Sequence, residues 1–400
     1  MIYLDHNSTT PLDPRVLEAM LPYLKGRFGN AASREHAFGW DARDAVDDAR
    51  CHVAALINAK PNEIIFTAGA TESIHIALYG LFSCFPPRIS PAVPPASTSA
   101  PPHREGILAS PVEHQAVRAA CGRLASQGTP VDILGVDPEG RIDTDVLAAA
   151  LRTRPAKLLC LMAANNETGV LFPIRESAAI AHARGCLLFT DAAQALGRTV
   201  IDAAADGFDL ACFSAHKVNG PKGIGALFLR DGGADLSLDP LLSAGGQEGG
   251  LRGGTANVAA IVGFGEACRL AREEMARDGE ELRALRDTLE ALVLAGAPEA
   301  RVNGGGADRL PNTSNLLFPG VDARILIRDM DDVAVSSRSA CSSGSSSPSH
   351  VLKAMALSDE DAFASVRFSL GKSTASEDIA YAAEKVVASY RKLVSTARKD

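Results

Sequence analysis

The stretch CLLFTDAAQALGRTVIDAAADGFDLACFSAHKVNGPKGIGALFL (186–229) contains three apolar runs of strand length, at 186–190, 209–214 and 225–229. Three similar runs precede it, at 63–67, 106–110 and 157–162, and helix-like segments such as 113–127 and 174–185 lie between the runs. Apolar runs that alternate with helices are typical of strands buried on both faces of a parallel sheet. The sequence therefore predicts an α/β fold: a large domain with a mainly parallel central sheet flanked by helices.

The pattern changes after residue 257. A long helical stretch at 258–296 is followed by short strand-like runs at 312–318, 333–337 and 365–371 and by an amphipathic helix over 376–397. We expect a large domain over residues 16–257 and a smaller α+β domain built from residues 1–15 and 258–400, with the long helix linking the two.

Composition excludes several classes of protein. The 400 residues carry a formal net charge of −8, without the clustered basic residues of a nucleic-acid-binding surface. The N-terminus lacks the pattern of a secretory signal, and no window approaches about 18 uncharged apolar residues. Eight irregularly spaced cysteines suit a reducing compartment better than a disulfide framework or zinc site. We expect a cytoplasmic protein that binds neither nucleic acid nor membrane.

Two local features stand apart from these patterns. The Pro/Ser-rich segment 85–104 predicts a surface excursion, to which we assign no chemistry. Seven of the cysteines lie mostly in apolar or helical patterns and are predicted to be buried.

In such a sheet, ligands bind just beyond the carboxyl ends of the strands. Lys217 follows the 209–214 run, with His216 directly before it. In a dry pocket the pKa of a lysine falls, and its amine can attack a carbonyl carbon. The alternative is an ordinary solvated lysine on a loop, which is the more frequent case for a lone lysine. Asp191 ends another run, and its carboxylate suits a protonated ring nitrogen, with the Gln194 amide close by. Capping of a helix is an equally good explanation of Asp191.

Three further strand ends are polar. The turn Gly69-Ala70-Thr71 offers backbone N–H groups and a hydroxyl to a phosphate. His114 can stack on an aromatic cofactor, and Asn165 and Asn166 present amides. Each has a plainer explanation as a turn, a cap or a structural histidine. Together, the five strand ends supply the groups that pyridoxal phosphate requires.

Near the C-terminus, SRSACSSGSSSPSH (337–350) places Cys341 among serines, where a core position is excluded. On composition alone this stretch is a linker. The alternative is a thiol on a tether, since residues 342–349 span at most roughly 26 Å when extended.

Nine stretches, in order along nearly the whole chain, resemble cysteine desulfurases of the NifS/IscS type, which are class V aminotransferase-like, fold-type I pyridoxal phosphate enzymes. They are YLDHNSTTPLDPRV, FGNAASREHAFGW, FTAGATES, NNETG, DAAQALG, SAHKVNGPKGIGALF, LRGGTANV, SACSSGS and VRFSLGK. The resemblance implies that the large domain binds pyridoxal 5′-phosphate and that the small domain carries a mobile cysteine loop at about 336–349.

The same resemblance implies the reaction and the partners. Sulfur from L-cysteine is expected to form a persulfide on Cys341, with release of L-alanine. A scaffold protein for iron–sulfur cluster assembly is expected to accept the sulfur, with a nitrogen-fixation pathway slightly favoured over a housekeeping one. A homodimer and a transient iron–sulfur contact through Cys341 are expected, but no permanent metal site.

The resemblance also implies a role for each site residue. Lys217 is expected to be the Schiff-base lysine, and the catalytic residues are Lys217, Cys341 and the ring-stacking His114. Arg367 and Asn166 are expected to bind the substrate. The expected cofactor-binding residues are Ala70, Thr71, His114, Asn166, Asp191, Gln194, Ser214, His216, Lys217 and, acting on the partner subunit's cofactor, Thr255.

Departures from the family pattern include Arg338 and Ala215 in place of glycine and Lys372 in place of arginine. The alternatives are a selenocysteine lyase or other desulfurase subgroup, a class V aminotransferase, and a non-catalytic sulfur-assembly scaffold. The first would have an R-x-G-x-H-C-like stretch, which the sequence lacks, and the second would not need Cys341. Retention of Lys217 and Asp191 argues against the scaffold.

Overall fold

The computed structural model describes residues 1–82, 106–234, 236–337 and 347–397, so the segment 85–104, Arg338 and Cys341 lie outside the described residues. Its strands are β1 (Ile2–Tyr3), β2 (Ile64–Thr67), β3 (Gly106–Ala109), β4 (Val131–Ile133), β5 (Ala156–Cys160), β6 (Leu187–Asp191), β7 (Leu210–Ser214), β8 (Gly225–Leu229), β9 (Arg301–Val302), β10 (Thr313–Leu317), β11 (Val333–Ala334) and β12 (Ser365–Ser369). Its helices are α1 (Pro14–Lys25), α2 (Ala37–Leu56), α3 (Ala70–Leu81), α4 (Gln115–Ser126), α5 (Thr144–Thr153), α6 (Ile174–His182), α7 (Ala203–Asp206), α8 (Val258–Gly296), α9 (Ala323–Asp329), α10 (His350–Ala354), α11 (Asp359–Phe363) and α12 (Ser376–Ala397).

A seven-stranded sheet forms the larger part of the fold, with the strand order β2-β8-β7-β6-β5-β3-β4. β8 runs antiparallel to both of its neighbours, while the pairs along β7-β6-β5-β3-β4 are parallel. The predicted mainly parallel sheet is therefore confirmed. β4 was not predicted from the sequence, because this three-residue edge strand is only partly buried and leaves no apolar run.

The two faces of this sheet carry separate hydrophobic clusters. Leu158 and Phe189 belong to one cluster, and their chain neighbours Leu159 and Leu188 belong to the other. Successive strand side chains point to opposite faces, so a strand covered by helices on both sides must be apolar at every residue. This is the physical reason why the strands were readable as continuous apolar runs.

A second, smaller part contains two short sheets. β12, β10 and β9 form an antiparallel sheet, and β1 pairs in parallel with β11. Leu4, next to β1, is buried in the same hydrophobic cluster as Phe368 of β12. The N-terminal segment therefore packs with the C-terminal third of the chain, while the domain boundaries at residues 15 and 257 stay a prediction.

Helix α8 belongs to both parts. Its N-terminal half buries Ile261 and Phe264 in a cluster of the large sheet, and its C-terminal half buries Leu289 and Val293 in the cluster of the small sheets. The helix therefore ties the two cores together, as its length and position in the sequence indicated.

The predicted burial of seven cysteines is confirmed for five, and Cys84 lies outside the described residues. Cys121, Cys160, Cys186, Cys212 and Cys268 are buried, whereas Cys51 is exposed, so the prediction was wrong for Cys51. Its helix α2 turns this residue away from the face that packs on α8. Within the described ranges, the helices are too short or too polar to cross a membrane.

The contact between α8 and α2 yields a prediction about two glycines of α8. A Cβ on Gly265 would lie 2.5 Å from the Cα of Ala49 in α2, whereas a Cβ on Gly279 would meet nothing within 4 Å. We expect Gly265→Ala to lower the free energy of unfolding by about 1–3 kcal/mol through overpacking. Gly279→Ala, the matched control, should raise it by about 0.5–1 kcal/mol because alanine favours the helix. Urea unfolding of both variants checks this, and equal effects would contradict it.

Candidate active site

A cavity of about 700 Å³ lies where the parallel strands of the large sheet end. Most predicted site residues line it: Ala70, Thr71, His114, Asn166, Asp191, Gln194, Ser214, His216, Lys217 and Arg367. Thr255 does not; it is exposed and lines a separate cavity of about 120 Å³, which shares Ala68 and Gly223 with the larger one. Since the carboxyl ends of parallel strands meet at one edge, residues far apart in sequence converge there.

The turn between β2 and α3 forms one wall of this cavity. Gly69 caps α3 without a side-chain hydrogen bond and has φ of +151°, which side-chain-bearing residues rarely adopt. Gly225 of β8 packs so closely behind the turn that a Cβ there would lie 2.7 Å from the Cα of Gly69. The first N–H groups of the twelve-residue helix α3 are thereby presented to the cavity, which is the arrangement that binds phosphate.

Lys217 and His216 lie in the short helical turn that follows β7. The Lys217 Nζ donates hydrogen bonds to the carbonyl oxygens of Asn7 and, at 2.8 Å, Ser8. Burial, together with the positive charge of Lys217, lowers the pKa of His216 to about 4. The His216 ring is therefore neutral near pH 7, and its Nδ1 lies 3.1 Å from the hydroxyl of Thr9.

Asp191 ends β6 with its side chain buried. One carboxylate oxygen accepts a hydrogen bond from the Ala193 N–H at 3.0 Å. The chain after β6 forms a turn over residues 193–198, so the carboxylate caps a turn; helix capping, the alternative explanation, does not apply. The carboxylate nevertheless lines the cavity, where it is available to a cationic ring nitrogen.

Gln194 is held in one orientation by a residue that the sequence analysis missed. Its Nε2 donates to the Asn7 carbonyl at 2.9 Å, and its Oε1 accepts from the guanidinium of Arg198, one helical turn further along the chain. Arg198 also donates to the Asn7 side chain at 2.8 Å and to the Lys217 carbonyl at 3.2 Å. Burial lowers the pKa of Arg198 to about 10, so it stays charged at neutral pH.

His114 caps α4 through its Nδ1, which accepts a hydrogen bond from the Ala116 N–H at 3.2 Å. The neutral ring therefore carries its proton on Nε2. The adjacent Glu113, also missed by the sequence analysis, is completely buried beneath the site. Its Oε1 accepts from the Ser110 hydroxyl at 2.7 Å and the Met162 N–H at 2.8 Å, while its Oε2 has no partner among the described residues.

Arg367 projects from β12 of the small sheet and lines the cavity although it is 2% exposed. Its guanidinium donates to the Asn166 carbonyl at 2.9 Å, to the Asp5 carboxylate at 2.6 Å and to the Ser8 hydroxyl at 2.9 Å. Asn165, by contrast, has its side chain committed to the local turn, where it accepts from the Glu167 N–H at 2.9 Å.

Cys341 lies outside the described residues, but both described flanks of its segment are attached beside the cavity. On one side, Ser336 exchanges backbone hydrogen bonds with Arg367 at 2.7 and 3.2 Å. On the other side, Ser349 donates to the Glu167 carboxylate at 2.5 Å, and His350 Nε2 lies 3.0 Å from the Glu113 carbonyl. Both described flanks are therefore held by Arg367 or by residues next to those that line the cavity, Glu113 beside His114 and Glu167 beside Asn166.

These groups fit pyridoxal phosphate. The helix terminus at Gly69 offers unpaired N–H groups to a phosphate, the Asp191 carboxylate suits a pyridine nitrogen, and the Lys217 amine can bond a carbonyl carbon. A cavity of about 700 Å³ also has room for an amino acid beside the cofactor. Fold and donor set together define a pyridoxal phosphate-dependent enzyme.

Comparison with known proteins agrees with this class. The class-V aminotransferase family matches residues 2–381. The chain is 43% identical over 392 residues to the cysteine desulfurase IscS of Anaeromyxobacter sp., covering 98% of this chain and 93% of that protein. It is 42% identical to the mitochondrial cysteine desulfurase of Arthroderma benhamiae, covering 96% of this chain and 73% of that protein.

Solved structures give the same result. A NifS-like protein superposes with a TM-score of 0.85 at 31% identity, over 99% of both chains. The structure of SspA in complex with cysteine superposes with a TM-score of 0.77 at 33% identity, over 92% of this chain and 99% of that one. The chain belongs to the class-V aminotransferase family and, within it, to the cysteine desulfurases.

Glu113 yields a prediction about stability and pH. Burial raises the pKa of Glu113 from 4.5 to about 7, and the charge of Asp191 acts in the same direction. The unfolded chain therefore releases this proton at a lower pH than the folded protein, and stability is lost as pH rises from about 4.5 through 7. The side chain of Glu113→Gln cannot ionise, so this variant does not lose stability in that way. The free energy of unfolding of the variant minus that of the wild type should therefore increase by about 1–3 kcal/mol between pH 5 and pH 8.

Urea unfolding at the two pH values measures this difference. Glu18→Gln, at an exposed carboxylate of α1, is the matched control and should differ little from the wild type at either pH. A constant difference between Glu113→Gln and the wild type across this range would show that Glu113 does not titrate there.

Proposed function

We propose that this protein transfers the sulfur atom of L-cysteine to Cys341 and releases L-alanine. The observation that carries the proposal is that Lys217 and Arg367 line one cavity, while the two described flanks of the Cys341 segment bond to Arg367 and to residues next to that lining. An amine, a carboxylate-binding guanidinium and a thiol are the groups that this reaction needs. The cysteine desulfurase names of the relatives support the same reaction.

The residues that would hold pyridoxal phosphate fall into groups according to the part of the cofactor that each would contact. Ala70, Thr71, Ser214 and His216 would hold the phosphate at the N-terminus of α3, and Lys217 would bond the aldehyde carbon. Asp191 would pair with the ring nitrogen, Gln194 and Asn166 would face the ring oxygen, and His114 would lie against the ring. When bound, the cofactor supplies an electron sink for bond cleavage at the substrate.

The remaining side chains act on the substrate. Arg367 would bind the carboxylate of L-cysteine, with Asn166 beside it, and this fixes the Cα–H bond with respect to Lys217. The Lys217 amine would take the proton from Cα. His114, whose Nδ1 accepts the Ala116 N–H, would lie against the cofactor ring and keep it in place.

Cys341 would then accept the sulfur. Its thiolate attacks the substrate sulfur, so that an S–S bond forms while the C–S bond of the substrate breaks. The carbon skeleton gains a proton and leaves as L-alanine. Atoms balance as L-cysteine plus thiol giving L-alanine plus persulfide, and no external oxidant or reductant is required.

We infer further that a scaffold protein for iron–sulfur clusters receives the sulfur, with Cys341 as a transient cluster ligand. Housekeeping assembly and nitrogen fixation are both compatible with the site. A homodimer is part of this proposal. Thr255 is exposed and lies outside its own chain's main cavity, which suits a hydroxyl that reaches the partner subunit's cofactor.

The first test is the intact mass of the holoenzyme after brief exposure to L-cysteine. We expect one added sulfur atom on the wild type and on Cys51→Ser, the matched control at an exposed cysteine of α2, but none on Cys341→Ser. L-Alanine should appear in parallel with the sulfur. Sulfur on Cys341→Ser would place the carrier elsewhere, and release of sulfide without any adduct would indicate a lyase.

A mixed dimer tests the role of Thr255. Lys217→Ala and Thr255→Ala should each lose most activity as homodimers. If Thr255 serves the partner's site, a heterodimer of the two variants contains one site with both wild-type residues and should recover up to about half of the wild-type rate per dimer. No recovery in a purified heterodimer carrying two affinity tags would assign Thr255 to its own chain.

A further inference from the structure

The hydrogen bonds of the buried Arg367 guanidinium indicate different roles for two of its neighbours, Asp5 and Ser8. Arginine has five N–H donors in a fixed planar geometry. The Arg367 Nε is buried and has no partner among the described residues, whereas Nη1 and Nη2 donate to Asn166 and Ser8, which both line the cavity, so the Nη1–Nη2 end is the one next to a ligand there. That end has four N–H groups, two on each Nη atom. One N–H of Nη1 donates to the Asn166 carbonyl, and the two N–H groups of Nη2 donate to the Asp5 carboxylate and the Ser8 hydroxyl.

A carboxylate that binds this end with both oxygens needs one hydrogen from each Nη atom. Nη1 has one to offer, but both hydrogens of Nη2 are taken. One acceptor on Nη2 must therefore yield when a carboxylate arrives. The two candidates differ in charge and in place, since Ser8 is a neutral hydroxyl that lines the cavity, whereas Asp5 is a carboxylate that is absent from its described lining.

The surroundings of Asp5 hold it firmly behind Arg367. Its backbone forms a bridge to Ser369 of β12, two residues beyond Arg367, and its carbonyl accepts from the Tyr3 hydroxyl at 3.0 Å and the Ser8 N–H at 3.0 Å. The 2.6 Å ion pair is also the only counter-charge that Arg367 has among the described residues. A buried arginine without a counter-charge would be strongly destabilised, so Asp5 must stay in place.

We propose that Asp5 is a positioning residue for substrate recognition and that the Ser8 hydroxyl is a placeholder for the substrate carboxylate. Asp5 holds one edge of the Arg367 guanidinium while the Asn166 carbonyl holds the other. The carboxylate of an amino acid replaces the Ser8 oxygen on Nη2 and takes the open hydrogen on Nη1. This deepens the proposed function, on which it rests for the identity of the amino acid, L-cysteine.

The two residues are thereby expected to affect affinity in opposite directions. Asp5→Asn keeps the shape but removes the charge that orients Arg367, and it should weaken binding of amino-acid carboxylates on the order of tenfold. Ser8→Ala removes a competing acceptor and should leave affinity equal to that of the wild type or tighten it by up to about threefold. Cysteamine, which has the amine and thiol of cysteine but no carboxylate, should bind all variants alike.

The experiment titrates the holoenzymes with L-alanine and with cysteamine, following the absorbance of the bound cofactor, and measures KM and kcat for L-cysteine. We expect Asp5→Asn to raise Kd for L-alanine and KM for L-cysteine about tenfold while kcat changes less than threefold. Asp13→Asn, a control with the same charge change in the N-terminal segment, pairs with the exposed Arg15 and should behave as wild type.

The outcomes are distinct. Weakening of L-alanine and cysteamine together by Asp5→Asn would mean a general structural defect and would overturn the inference, as would unchanged binding of L-alanine. A tenfold or larger loss of L-alanine affinity in Ser8→Ala would show that Ser8 is a required contact and not a placeholder. Selective loss of L-alanine binding in Asp5→Asn, in an enzyme that forms no persulfide, would support the inference while refuting the proposed reaction.

Discussion

The hydrogen bonds of a single buried residue, Asn7, join the two parts of the structure at the site. Its carbonyl accepts from Gln194 and Lys217, both on loops after strands of the large sheet. Its side chain donates to Thr313 of β10 at 2.9 Å and accepts from Asn312 at 3.2 Å, and both of these residues belong to the small part. Because each of these groups is withdrawn from water, breaking the network would leave several polar groups unpaired at once. The cavity walls therefore hold their relative placement through a segment at the very start of the chain.

The network also places positively charged side chains close to the cavity. Arg198 and Arg367 bring two guanidinium groups towards the cavity, and each lowers the electrostatic cost of an anion there. The anions that the proposed reaction requires are a phosphate and an amino-acid carboxylate. Asp5 is the counter-charge of Arg367, Asp191 lines the cavity, and Glu113 stays largely protonated below its raised pKa of about 7. The cavity can therefore bind anions through its guanidinium groups although carboxylates lie close to it.

Much of the fold could be predicted from the sequence because its strands and long helices produce local patterns of apolar residues. The strands of the large sheet are covered on both faces, which makes them continuous apolar runs, and α8 and α12 carry long helical patterns with the bounds that the sequence indicated. The strands that were missed, β1, β4 and β9, have two or three residues and pair at sheet edges, so they leave no such run. The expected strand 333–337 is likewise shorter, as β11 ends at Ala334.

The sequence by itself determined which residues follow each strand, and in a parallel sheet that suffices to bring Lys217, Asp191 and His114 to one edge. It also indicated the family through motifs, two of which contain Asp191 and Lys217. Only the tertiary structure decided what surrounds them: the Arg198–Gln194–Asn7 network, the burial of Glu113 and the pairing of Asp5 with Arg367. The physical reason is distance along the chain. Asp5 and Arg367 are 362 residues apart, and a hydrogen bond across such a separation has no periodicity or spacing that a sequence pattern could reveal.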